Sequence, residues 1–195
     1  MCRKCLRYEY ALANFSEGLA VNRRQWIVIS GISLLALLAG IFSSPWISKT
    51  GLVSEPAVKA FFANEWQSPD GKVLDSKDWQ GKVLVVNFWG SWCPPCVEEM
   101  PELEKLQWEF SNKNVLFVGI AIDSPSNVRE FLKKTPVSYP IAMGGMNGSQ
   151  MYKALGNTQS ALPYTVLLSP SGKVLFSKLG RINEEELRNS IKSAL

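Results

Sequence analysis

The sequence predicts an α/β domain preceded by one N-terminal transmembrane helix. Three observations carry this. An uncharged, mostly apolar run, Trp26–Phe42, follows Arg23-Arg24 directly. From about residue 60 onward, strand and helix signals alternate, the pattern of an α/β layer architecture. Within that stretch, Val83–Phe88 and Val115–Ile122 are continuous apolar runs, as expected of strands buried on both faces.

Taken in order, residues 1–24 form a short cytoplasmic segment. It holds five basic residues (Arg3, Lys4, Arg7, Arg23, Arg24) and two acids. Residues 25–46 form the anchor. About 20 apolar residues cross a bilayer core as a helix, and no charge interrupts the run until Lys49. Trp26 and Trp46 suit the two interfaces, and the basic flank keeps the N-terminus cytoplasmic and the remainder outside. No clear small-x-small cleavage site follows, so the anchor is expected to stay uncleaved. Ile41 stands where a lipoprotein signal would need cysteine. Cys2-x-x-Cys5 lacks the further ligands of a zinc site and reads as incidental thiols, or as untranslated sequence if synthesis starts near Val21. Residues 47–59, with Gly51, Ser54 and Pro56, read as a linker, and residues 60–195 as the exported domain.

Inside that domain, Val97, Met100, Leu103, Leu106 and Phe110 follow helical spacing between the two buried strands. Glu98, Glu99 and Glu102 lie in its first turns, where carboxylates suit the helix dipole, and Pro101 is expected to kink it. Asn127–Lys134 reads as a second helix, Val137–Met143 as an edge or connecting strand, and Met151–Leu155 as a short helix. Tyr164–Leu168 and Lys173–Leu179 flank Ser169-Pro170-Ser171-Gly172, a turn sequence that predicts an antiparallel hairpin. Asn183 is placed to cap a last helix whose Leu187, Ile191 and Leu195 face inward.

The first strand delivers Cys93-Pro94-Pro95-Cys96 to the start of the helix that follows. A thiol there is expected to be exposed, and helix N-terminal amides favour its thiolate. The pair closes too small a loop to constrain the unfolded chain much, so a reversible dithiol is expected rather than a structural disulfide. Composition removes most rivals. The chain has no histidine, which excludes Ser-His-Asp and Cys-His nucleophile pairs, histidine-ligated metals and a Cys-x-x-Cys-His haem attachment. Beyond residue 24 there are 16 basic and 15 acidic residues, so the domain has no nucleic-acid footprint.

Phe88-Trp89-Gly90-Ser91-Trp92-Cys93-Pro94-Pro95-Cys96, with Glu99-Met100-Pro101 and Leu162-Pro163-Tyr164-Thr165, resembles the membrane-anchored TlpA/ResA-like disulfide reductases. The resemblance covers about residues 60–195. It implies a thioredoxin-like fold, a central mixed sheet flanked by helices, and an extracytoplasmic thiol–disulfide oxidoreductase without a bound cofactor. Cys93 then matches the attacking cysteine and Cys96 the resolving one. Glu99 matches a glutamate near the dithiol that affects its protonation. Pro163 matches the family's cis-proline, with Leu162 offering backbone contacts and Trp92 covering the pair, while Trp89 belongs to the core. Thioredoxins proper often carry aspartate where this chain has Asn87, which shifts the proton-relay role to Glu99. The resemblance further implies protein disulfide substrates such as apocytochrome c or metallochaperone cysteines, re-reduction by a membrane electron donor, and a place on the periplasmic face of a bacterial inner membrane.

Two other functions suit a thioredoxin-like fold. A peroxiredoxin would need proline and threonine or serine where this chain has Val86 and Gly90. A copper(I) chaperone could use Cys93 and Cys96 as soft ligands, but lacks histidine and any methionine-rich cluster. Because two prolines replace amides between the cysteines, no reduction potential is read from the motif.

Overall fold

The computed structural model describes residues 55–145 and 147–195. The expected cytoplasmic segment, the anchor at 25–46 and the first part of the linker lie outside the described residues. Among those described, no helix is long and apolar enough to cross a membrane.

The chain enters through helix α1, Glu55–Ala63, which corrects the expected linker at 47–59 over its last residues. Pro56 sits in the first turn, where a missing N–H costs no helical hydrogen bond. Ala57, Val58 and Phe61 form its buried stripe. Phe61 packs against Trp66 and Trp79, with ring centroids 5.2 and 5.9 Å away. A two-stranded ribbon, β1 (Trp66–Gln67) and β2 (Val73–Leu74), and a 3₁₀ turn at Ser76–Trp79 lead into the main sheet.

That sheet has five strands in the order β5-β4-β3-β6-β7. β3 (Val83–Trp89) and β4 (Val115–Ala121) pair in parallel across α2 (Pro94–Phe110). β4 pairs in parallel with β5 (Ile141–Met143) across α3 (Pro125–Lys134). α4 (Gly148–Ala154) then leads to β6 (Tyr164–Leu168), which lies antiparallel to β3. β7 (Val174–Leu179) closes the hairpin, and α5 (Glu184–Ala194) ends the chain. The hairpin turn places Gly172 at φ +81, a backbone region that glycine enters without a steric penalty. Asn183 caps α5 by accepting from the Glu186 N–H at 3.0 Å.

All seven residues of β3 are buried because the strand is central and covered on both faces. Val83, Val85 and Trp89 join a core with α2, α3 and α5. Leu84, Val86 and Phe88 join a second core with α1 and Tyr152 of α4. Leu187 and Ile191 face inward as expected. Leu195 does not: it lies past the last turn of α5 and is 59% exposed. The edge strand is also shorter than expected, because only Ile141–Met143 of Val137–Met143 finds ladder partners on β4.

Candidate redox site

The register ties the site together. Trp89 pairs with Ala121, which pairs with Met143, so the chain leaves β3, β4 and β5 at one end of the sheet. β6 runs the other way and enters at that end, with Tyr164 opposite Phe88. Cys93, immediately after β3, and Pro163, immediately before β6, are therefore brought to the same edge.

Cys93 is the N-cap of α2 and Pro94 and Pro95 form its first positions. Cys93 and Cys96 are joined in a disulfide. The expected exposed thiol is corrected here: Cys93 is only 5% exposed and Cys96 is fully buried, because both sulfurs lie in the core between the sheet and α2. The inequality between them follows from helix geometry, since Cys93 stands at the rim and Cys96 one turn inside. Fewer free amides stand at this helix N-terminus than usual, as the two prolines imply. Pro94 and Pro95 carry no N–H, and the Cys96 N–H donates to the Cys93 carbonyl at 3.0 Å.

Glu99 follows Cys96 by three positions, which places them on one face of α2, with Cβ atoms about 5–6 Å apart. Its neighbours Glu98 and Glu102 are exposed or half-buried and pair with Arg181 at 3.0 and 2.7 Å. Glu99 is fully buried. Its Oε1 accepts from Asn87 Nδ2 at 2.7 Å and its Oε2 from the Ile182 N–H at 2.9 Å. Burial pushes the Glu99 carboxyl up from 4.5 to about 7; the Ile182 and Asn87 donors pull it back, Glu102 adds to the rise and Arg181 opposes it. Asn87 Nδ2 also donates to Thr165 Oγ1 at 3.1 Å, while Asn87 Oδ1 has no partner. Turning the amide over would offer that oxygen to a protonated Glu99, so Asn87 can serve either protonation state.

Pro163 is buried, and the Leu162–Pro163 peptide bond is cis. Its carbonyl accepts from the Gly180 N–H at 2.9 Å. Leu162 is half-buried and packs against both cores. Trp92 is 63% exposed, with its indole N–H donating to the Ile122 carbonyl at 3.0 Å, and Trp89 is wholly core. Sequence reasoning missed Asp123. It follows β4 and accepts from the Ser91 N–H at 2.9 Å, the Ser91 hydroxyl, the Ser124 N–H and Asn127 Nδ2. Burial pushes this carboxyl up, but the four donors outweigh it and hold it below the usual carboxylate range. The signal available was Asp123-Ser124-Pro125 at a strand-to-helix junction. Among the described residues, no group of three or more candidate metal ligands forms around the cysteines or elsewhere.

A family model described as Redoxin matches residues 56–195. The chain belongs to the Redoxin family. A thiol-disulfide oxidoreductase ResA from Bacillus thuringiensis subsp. konkukian is 32% identical over 124 residues, 63% of this chain and 69% of the relative. Another ResA, from Geobacillus thermodenitrificans, is 26% identical over 178 residues, covering 89% and 98% of the two chains. Among solved structures, a thioredoxin-related protein from Neisseria meningitidis serogroup B superposes with a TM-score of 0.59. It is 37% identical and covers 67% of this chain and 98% of its own. This Redoxin is thus a TlpA/ResA-like member of the thioredoxin superfamily, with its mixed sheet and flanking helices, and a thiol:disulfide oxidoreductase.

Proposed function

We propose that the protein reduces protein disulfides outside the cytoplasm, cycling Cys93 and Cys96 between dithiol and disulfide. The Cys93 thiolate attacks a partner disulfide, forming a Cys93–partner bond while the partner's other sulfur leaves as a thiolate and takes up a proton. Cys96 then loses its proton to Glu99 and attacks the Cys93 sulfur. The Cys93–Cys96 bond forms, the second partner thiolate departs, and two electrons have passed to the partner. A membrane electron donor of the thiol-reducing class returns the pair to the dithiol. Leu162 and Pro163 offer backbone to the substrate chain, and Trp92 flanks it.

The observation that supports the reducing direction is how few groups around the start of α2 could stabilise a Cys93 thiolate. The two prolines remove helix-end amides, the Cys96 N–H is already bonded, and no basic residue occurs in residues 90–97. A strongly oxidising dithiol needs its reduced form stabilised, and these residues offer little that would do so.

The resemblance supports substrates of the apocytochrome c or metallochaperone kind. The apolar run at 25–46 and its basic flank support a single-pass bacterial inner-membrane anchor with a periplasmic catalytic domain. Topology is tested on spheroplasts reduced with a mild dithiol. A membrane-impermeant maleimide should label Cys93 without lysis, and should reach Cys2 and Cys5, where present, only after it. Labelling of Cys93 only after lysis would reverse the orientation.

A further inference from the structure

Three contacts decide where the Trp92 indole lies. Its Nε1 donates to the Ile122 carbonyl at 3.0 Å. Beneath the ring is Gly90, where an added Cβ would stand 2.7 Å from Trp92 Nε1 and 2.9 Å from Cε2, closer than non-bonded atoms approach. Between them, Ser91 is held by Asp123, which accepts both its N–H and its hydroxyl. Asp123 is anchored in turn by the Ser124 N–H at 2.7 Å and Asn127 Nδ2 at 2.9 Å. The Ile122 N–H also donates to the Trp89 carbonyl at 2.8 Å. The side-chain and backbone partners that hold Ser91 and the Trp92 indole thus come from the stretch between β4 and α3, while the Gly90 carbonyl accepts from the Cys93 N–H at 3.1 Å. Leu162 and Pro163 lie across β3, on the β6 side.

We propose that Gly90 and Asp123 are positioning residues of the redox site. Gly90 leaves the volume that the indole occupies, and Asp123 clamps the turn that presents it. Together they hold Trp92 on the β4 side as a fixed aromatic wall, so that a protein segment bearing the target disulfide enters along Leu162 and Pro163. Because most of Trp92 faces solvent, a methyl group at position 90 displaces the ring instead of unfolding the core. This assignment rests on thiol–disulfide exchange at Cys93–Cys96.

The test uses the full-length protein with dithiothreitol as electron source and two disulfides, a fluorogenic disulfide-bonded peptide and hydroxyethyl disulfide. Gly90→Ala and Asp123→Asn should each lower kcat/KM for the peptide by roughly tenfold or more, chiefly through KM. Turnover of hydroxyethyl disulfide should stay within about twofold, because the reacting sulfurs are untouched. In a Trp92→Ala background, Gly90→Ala should have no further effect on the peptide. Melting temperatures recorded alongside separate positioning from loss of fold. Equal slowing toward both disulfides, or the same penalty without Trp92, would overturn the assignment. A wild-type protein inert toward both disulfides would instead contradict the exchange activity, and the assignment with it.

Discussion

Cys96→Ser protein should accumulate a covalent Cys93–substrate disulfide, because the serine hydroxyl cannot resolve it. Cys93→Ser protein should form no such adduct and lose turnover by at least about three orders of magnitude, the scale of losing a nucleophile. The asymmetry follows from placement. Cys93 stands at the helix N-cap with the only exposed fraction of the pair, and Cys96 lies wholly inside. Non-reducing electrophoresis of both variants after exposure to a protein disulfide checks it. Adducts on Cys96 in the Cys93→Ser variant would reverse the order of attack.

Glu99 carries the second large effect. Its carboxyl titrates at about 7, so across neutrality it passes from a proton donor to a proton acceptor. Resolution of the mixed disulfide should therefore accelerate as pH rises through about 7, and Glu99→Gln should remove that inflection and slow the step by ~10²-fold. Stability moves the opposite way. The folded state binds this proton more tightly than the unfolded chain, so the contribution is complete below about 4.5 and lost as pH rises through about 7. The interval corresponds to about 3 kcal/mol. Urea midpoints between pH 4 and 8 should fall for the wild type and stay flatter for Glu99→Gln. Identical pH profiles for the two proteins would remove Glu99 from the proton path.

Much of this was legible in one dimension, and the rest fails for identifiable reasons. β3 and β4 announce themselves because a central strand is apolar on both faces, so Val83–Trp89 carries a signal that needs no partner. The hairpin is equally plain, since Ser169–Gly172 is local turn chemistry. α1 escaped because Pro56 was read as a loop residue when it opens a helix, and its apolar stripe makes sense only once Trp66 and Trp79 are seen to receive Phe61. At the site, the cysteines, Glu99 and Pro163 were identifiable from motif context. The environment of Glu99 was not, because one of its two donors, Ile182, lies 83 residues away and uses only backbone. Asp123 was hidden for the same reason: its link to Ser91 exists only because the parallel register ends β3 and β4 together.

The central claim is that Cys93–Cys96 is a reducing dithiol, and its equilibrium potential tests this most directly. The full-length protein is equilibrated in glutathione or dithiothreitol buffers, trapped with an alkylating reagent, and scored by mass spectrometry of the peptide containing both cysteines. With two helix-end amides removed by proline and no basic residue in residues 90–97, a potential near that of thioredoxin, about −270 mV, is predicted. A value near −120 mV, that of a strong disulfide donor, would contradict the account.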